Sequence, residues 1–285
     1  MRWLPDWLIY LVAICAILLV MFRLDQRAET PAWSPNEFPG AGEFLPPPSV
    51  FDPEILVEVE DAAPGLGTAF VINPEGYWLT ARHVVDGCEK VAVLVSRGRA
   101  LPAQVRTSQF ADLAFLETEP VPGAIALHLA EEEFTRGQPA YHVGFPQGRP
   151  GEAASRLVGR ERLVARGRYS SEEPVLAWAE TGRTWGVEGS LAGRSGGPTL
   201  DAQGRVIGVT IAESPRRGRI YTASPASIEQ WLYVARVEAV GEPTAPMNDR
   251  NYFRRADELR RDMVVRPVVC QTPPPEEQRP LLRLP

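Results

Sequence analysis

Gly193-Arg194-Ser195-Gly196-Gly197-Pro198 sets a single serine among three glycines, with a proline closing the run. It reads as a nucleophile loop. A serine hydroxyl attacks poorly at neutral pH unless a base takes its proton and backbone donors hold the developing oxyanion. Glycines serve the second need, because a residue without Cβ lets the chain turn tightly and aim the amides of Gly193 and Ser195 at one small volume. A Gly/Ser-rich turn between two strands would look the same in isolation. The partners of Ser195 must therefore decide between the two.

Gly-x-Ser-x-Gly also fits the elbow of α/β-hydrolases, where the triad runs serine, acid, histidine along the chain. His83, His128 and His142 all precede Ser195, so that order has no base. The order histidine, aspartate, serine remains. The aspartates between His83 and Ser195 are Asp86 and Asp112. Asp86 follows His83 too closely to bond its imidazole from behind, which leaves Asp112. His83 lies where a β-prone run ends in a Thr80-Ala81 step, and Asp112 lies at the mouth of the apolar run Leu113-Ala114-Phe115-Leu116.

Thr80-Ala81-Arg82-His83-Val84-Val85, Asp112-Leu113-Ala114 and Gly193-Arg194-Ser195-Gly196-Gly197-Pro198 together resemble the trypsin-like peptidases, closest to the HtrA (Deg) type. The resemblance runs from about Ala63 to Leu232. It implies an all-β fold of two six-stranded antiparallel β-barrels with a C-terminal helix and the active site between them. It also implies a His83, Asp112, Ser195 triad, an oxyanion hole from the Gly193 and Ser195 amides, and a protein or peptide substrate. Two positions depart from the family pattern. Arg194 stands where relatives carry aspartate or asparagine, which argues against zymogen activation and leaves the order of the oxyanion loop open. Arg82 replaces the usual alanine, a change that is tolerated if it points outward.

The chain places the two barrels in order. Ile55–Val59, Thr68–Ile72, Tyr77–Leu79, Val91–Val95 and Leu113–Glu117 are short β-prone runs punctuated by turns such as Asn73-Pro74-Glu75-Gly76, and are assigned to the first barrel. Ala140–Val143, Leu157–Val164, Val175–Ala179, Thr199–Leu200, Val206–Ile211 and Ile220–Ala223 supply the second. Helical spacing of Ile228, Trp231, Leu232 and Ala235 predicts a closing helix over Ser227–Val237.

Four segments follow from this: an anchor over 1–24, a Pro-rich linker over 25–53, a peptidase domain over 54–238, and a helical and Pro-rich tail over 239–285. The apolar run Trp7–Phe22 reaches about 24 Å and needs its flanks to span a bilayer. No small-x-small cleavage site follows it, so it is read as an uncleaved transmembrane helix. Arg2 and the amino terminus before it nearly balance Arg23 and Arg27 after it, so an extracytoplasmic catalytic domain, single-pass in the inner membrane, rests on the resemblance. In the tail, Arg250–Met263 is expected to be a solvated surface helix and the Pro273-Pro274-Pro275 end disordered. Too few residues remain there for a PDZ module.

Composition excludes other classes. A net charge of −6 provides no basic excess for nucleic acid. The histidines lack metal-ligand spacing, so neither metal nor other cofactor is expected. Cys15 lies in the anchor, and Cys88 and Cys270 could pair only if the domain is exported, a geometry that sequence leaves open. The reading is a membrane-anchored serine endopeptidase working through an acyl-enzyme. Its rival is a pseudoprotease that binds peptides as a tethered scaffold. In the resembled fold the primary pocket maps to Gly189, Ser190, Thr210, Ile211 and Ala212, which predicts preference for aliphatic side chains unless Glu188 or Glu213 turns inward.

Overall fold

The computed structural model describes residues 40–96, 98–125, 134–184 and 193–273. The anchor Trp7–Phe22, most of the Pro-rich linker, His128, Glu188, Gly189 and Ser190 lie outside them. Among the described residues no helix is long and apolar enough to cross a membrane.

The chain folds into a closed six-stranded barrel and a separate seven-stranded sheet. The barrel holds β2 (Gly65–Asn73), β3 (Tyr77–Thr80), β4 (Lys90–Ser96), β5 (Arg99–Thr107), β6 (Ala114–Glu117) and β13 (Val265–Gln271), in the order β13-β2-β3-β6-β5-β4. In β4, Val91, Val93 and Val95 are buried while Lys90 and Ser96 are exposed, the period of two that a one-sided strand requires. The Asn73 side chain accepts from the Glu75 amide at 2.9 Å, closing the turn between β2 and β3.

The sheet runs β1-β8-β7-β10-β11-β12-β9, with a further pairing of β8 to β9. Its strands are β1 (Glu54–Val59), β7 (Pro139–Gly144), β8 (Gly151–Gly167), β9 (Ser171–Arg183), β10 (Pro198–Leu200), β11 (Val206–Ser214) and β12 (Arg219–Ala223). One barrel and one seven-stranded sheet thus stand where two six-stranded barrels were expected.

Two strands depart from the expected arrangement. Glu54–Val59 pairs parallel with β8, Ile55 opposite Leu163, and takes no part in the barrel. Its pattern of exposed Glu54, Leu56 and Glu58 against half-buried Ile55 and Val57 marks an edge, which alternation alone cannot assign to a sheet. In its place β13 sits between β2 and β4, with Val268 opposite both Gly67 and Val93. The segment expected as a tail therefore completes the barrel. Strands β8 and β9 are far longer than their apolar runs because charged residues continue them, Arg162 bonding both Glu54 and Glu172.

Three helical pieces matter for the site. A single turn, α1 (Arg82–Val85), follows β3. Helix α2 (Pro225–Ala235) starts at Ser224, whose hydroxyl accepts from the Ser227 amide, and ends at Arg236 in the left-handed conformation at φ 55°. It buries Ile228, Trp231 and Ala235, and Trp231 stacks on Phe115 of β6 at 5.3 Å. Such a stack contributes about 1 kcal/mol beyond its buried area. The closing helix thus ties the sheet half back to the barrel. Helix α3 (Tyr252–Arg261) corrects the expectation of a solvated helix, since Ala256, Leu259 and Arg260 are buried. Arg260 donates to the carbonyls of Gly144 and Gly151 and to Glu152.

Candidate active site

His83 is delivered by α1 at the end of β3, where the Thr80 hydroxyl donates to the Thr68 carbonyl at 2.6 Å and fixes the strand end. Asp112 is delivered by the loop from β5 to β6, which is cinched by the Phe110 and Ala111 amides donating to the Ser108 hydroxyl. The two residues meet closely. Asp112 Oδ2 lies 2.6 Å from His83 Nδ1, and Asp112 Oδ1 accepts from the His83 amide at 2.8 Å and from the Tyr169 hydroxyl at 2.9 Å. An ionised carboxylate only accepts, so Nδ1 carries the proton and Nε2 is left for another partner.

Electrostatics follow from this pairing. Burial works against charge on His83, but the charge and hydrogen bond of Asp112 offset it, so the imidazole pKa is raised; Arg168 opposes the rise. Burial likewise works against the Asp112 carboxylate, yet His83 and the Tyr169 hydroxyl hold its pKa below the ordinary value. Each partner stabilises the charge of the other.

Ser195 sits on the loop before β10. Gly193 and Gly196 adopt φ of 97° and 86°, a region that L side chains avoid, and a Cβ on Gly193 would stand 2.6 Å from the Phe145 carbonyl. The loop is pinned on several sides. The Thr68 amide donates to the Ser195 carbonyl at 2.9 Å, the Gly196 amide to Thr210 at 2.7 Å, and the Thr68 hydroxyl to the Gly193 carbonyl at 2.7 Å. A cleft of about 550 Å³ is lined by His83, Asp112, Gly193, Ser195, Ile211 and Ala212 among others. The histidine and aspartate of the barrel and the serine of the sheet half thus share one cavity.

The remaining expected residues fall as follows. Thr210 is buried, with its backbone holding the nucleophile loop. Glu213 does line the cleft, and its carboxylate lies 3.8 Å from Arg194. His142 is a core histidine, fully buried with its ring nitrogens at the Thr199 and Ser155 hydroxyls. Burial, with the Arg194 charge adding to it, drives its pKa well down. Among the described residues no group of three or more His, Cys, Asp or Glu side chains could hold a metal ion.

Arg82 does not point outward. It is buried, its guanidinium stacks 3.8 Å over the Tyr169 ring, and it donates to the Ser108 carbonyl at 2.8 Å. Arg82 therefore braces both the Asp112 loop and the tyrosine that bonds Asp112. Sequence reasoning missed Tyr169, Glu173 and Thr68, because their roles depend on contacts between strands remote in the chain. Glu173 accepts from the Asp112 amide at 2.5 Å.

The sequence matches the family described as Trypsin-like peptidase domain over residues 67–209, half of the 285-residue chain. The chain belongs to the trypsin-like peptidase family. Among curated proteins this peptidase-family chain is similar to a putative serine protease HhoA of Synechocystis sp., 33% identical over 156 residues, 52% of this chain and 37% of that protein. It is also similar to a probable periplasmic serine endoprotease, DegP-like, of Rhizobium meliloti, 30% identical over 168 residues, 57% of this chain and 31% of that protein. The chain therefore spans about a third of the length of these relatives. Among solved structures, the active form of the Rv3671c protease from M. tuberculosis shares the fold, with a TM-score of 0.50 and 24% identity over 64% of this chain and 76% of that one. The chymotrypsin-like architecture of the peptidase domain accords with the barrel and sheet described above.

Proposed function

We propose that this protein is a membrane-anchored serine endopeptidase of the HtrA/DegP type. The observation that carries the reading is the His83–Asp112 pair opening onto the same cleft as Ser195. In this mechanism Ser195 Oγ attacks the scissile carbonyl while His83 Nε2 takes its proton. The Gly193 and Ser195 amides hold the oxyanion, and Asp112 fixes the tautomer and stabilises the imidazolium. The imidazolium then gives its proton to the leaving amine, and water repeats the sequence on the acyl-enzyme. The seven-stranded sheet serves as the second barrel of the pair, with its β8–β9 contact closing the ring.

A full-length sample in detergent should be labelled by a fluorophosphonate probe, and Ser195→Ala should remove the label. Loss of a triad serine costs about 10⁶ in kcat. A folded protein that takes no label would favour the second reading, a peptide-binding scaffold. One observation speaks for that reading: Arg194, next to Ser195, is buried with no hydrogen-bond partner for its guanidinium nitrogens.

The location follows from chemistry. The Trp7–Phe22 run would anchor the chain in the inner membrane, with the catalytic unit outside the cytoplasm. A Cys88–Cys270 disulfide, Cα atoms 5.5 Å apart, supports an oxidising compartment, where such bonds persist. Protease accessibility of the unit once only the outer barrier is permeabilised is the expected result; protection until the inner membrane is lysed would refute it.

A further inference from the structure

We propose that Glu173 is a positioning residue for the triad, holding Asp112 by its backbone rather than acting on substrate. This rests on the assignment of Asp112 to the triad above. Glu173 projects from β9 of the sheet half, is 2% exposed, and accepts the Asp112 amide proton at 2.5 Å. It is absent from the lining of the cleft. Asp112 is thereby held at both ends, its carboxylate by His83 and Tyr169 of opposite halves and its main chain by Glu173. A shift of β9 against the barrel would move the aspartate and, through Nδ1, the imidazole.

A packing role does not explain the residue type. Burying a carboxyl group is costly, and Glu173 Oε2 is buried with no hydrogen-bond partner. An apolar side chain would fill the space without that cost. What a glutamate adds is an acceptor for the Asp112 amide, which otherwise would be a buried unsatisfied donor beside the reacting groups.

The surroundings decide its charge. Across β8 the neighbour is apolar Leu163, and from α2 the polar neighbour is Ser227. The charged group facing it is Asp112, beyond which lie His83, Arg82 and Arg168. Burial pushes the Glu173 pKa up to about 8; the Asp112 charge adds to the rise, and the Asp112 amide and nearby Ser227 oppose it. At neutral pH Glu173 is therefore an uncharged acceptor, and Asp112 is the anion behind His83. Above about pH 8 a second negative charge would appear there and make the imidazole more basic.

The test compares Glu173→Gln, which keeps an acceptor without a charge, with Glu173→Leu, which keeps neither. Glu173→Leu should lower kcat by roughly 10- to 100-fold with KM nearly unchanged, the cost of a slightly misplaced base. Glu173→Gln should restore kcat at neutral pH and lack the alkaline inflection near pH 8 of the parent. Wild-type kcat in folded Glu173→Leu would overturn the proposal, as would equal losses in both variants. If Glu173→Leu does not fold, an unchanged pH profile in Glu173→Gln overturns it. Imidazole resonances of ¹⁵N-labelled His83 read the same coupling without turnover: Glu173→Gln should abolish a shift near pH 8. Failure of fluorophosphonate labelling in the parent would instead remove the serine-peptidase reading and leave that spectroscopic result interpretable.

Discussion

Thr68 of β2 reaches the carbonyl of Gly193 across 125 positions of sequence, its hydroxyl donating at 2.7 Å while accepting from the Phe145 amide at 3.1 Å. One side chain of the barrel thus fixes both the nucleophile loop and the Gly144-Phe145-Pro146 turn beneath it. Substituting valine keeps the shape and removes both bonds, leaving the Phe145 amide buried and unpaired. A loss of about 1–3 kcal/mol is expected, and because the Gly193 amide proposed for the oxyanion hole belongs to the same loop, part of it should appear as roughly tenfold slower acylation. Stopped-flow acylation by an ester substrate checks this. Unchanged acylation in a destabilised Thr68→Val protein would confine Thr68 to a structural role.

In the proposed mechanism the pH dependence of activity follows from the His83 imidazole, whose neutral form would be the competent base and whose pKa is raised by Asp112. The acid limb of kcat/KM should therefore lie above the ordinary imidazole value. Removing the Asp112 charge leaves burial dominant, so Asp112→Asn should move the limb downward while lowering kcat by about 10⁴. A limb that stays in place would mean that another group titrates.

Stability has its own pH window. The raised His83 pKa contributes stability that is fully present below the unfolded pKa and lost as pH rises through the folded one. The depressed Asp112 pKa contributes stability present above its unfolded value and lost as pH falls through its folded value. The pair is therefore most stabilising between these two transitions. Urea unfolding of Ser195→Ala, which avoids self-digestion, should lose part of this window when His83→Ala is added. An identical pH profile in the two proteins would contradict the assignment.

The positions proposed for the triad are legible because each sits in a short block whose neighbours lie within a few residues. Val84-Val85 beside His83 and Leu113-Ala114 beside Asp112 declare a turn and a strand locally. The supporting shell was not legible, because Tyr169 and Glu173 come from β8–β9, where charged residues break the apolar pattern. Strand β13 was hidden for a different reason. Pro267 and Arg266 interrupt Val265–Gln271, and Pro267 is tolerated opposite Thr68 only by giving up a donor. The parallel β1–β8 pairing, finally, leaves no turn signature in sequence.

Cys270 lies on β13 and Cys88 just after α1, so the disulfide ties the last strand of the barrel to the helical turn carrying His83. The bridge spans 182 positions, for which the chain-entropy model gives about 5 kcal/mol. Cys88→Ser with Cys270→Ser should lower the melting temperature by several degrees and free β13 first. Hydrogen exchange should show faster loss of protection at Val265–Gln271 and its partners Gly65–Phe70 than in β11–β12. Uniform loss across both halves would mean that the bridge stabilises the chain without selectively holding the strand.

Cleavage specificity turns on Arg194 and Glu213. Glu213 lines the cleft beside Ile211 and Ala212, where its carboxylate could attract a basic substrate side chain. Arg194 lies 3.8 Å from it, 1% exposed on its side chain, and so sets a fixed positive charge against that carboxylate from the protein side. Burial lowers the Arg194 pKa to about 10, with Glu180 and Glu213 holding it up, so the guanidinium stays charged at neutral pH. A substrate lysine or arginine would have to compete with it for Glu213. The pocket should therefore select small or medium aliphatic residues, discriminating among them only by about 1–3 kcal/mol per methylene. Replacing Arg194 by methionine removes that competing charge, and cleavage after arginine should then rise relative to cleavage after valine in a diverse peptide library. Adding Glu213→Gln to that variant should reverse the gain. Dominant cleavage after arginine in the parent would overturn the aliphatic assignment, and an unaltered profile in Arg194→Met would show that Glu213 does not face the bound side chain.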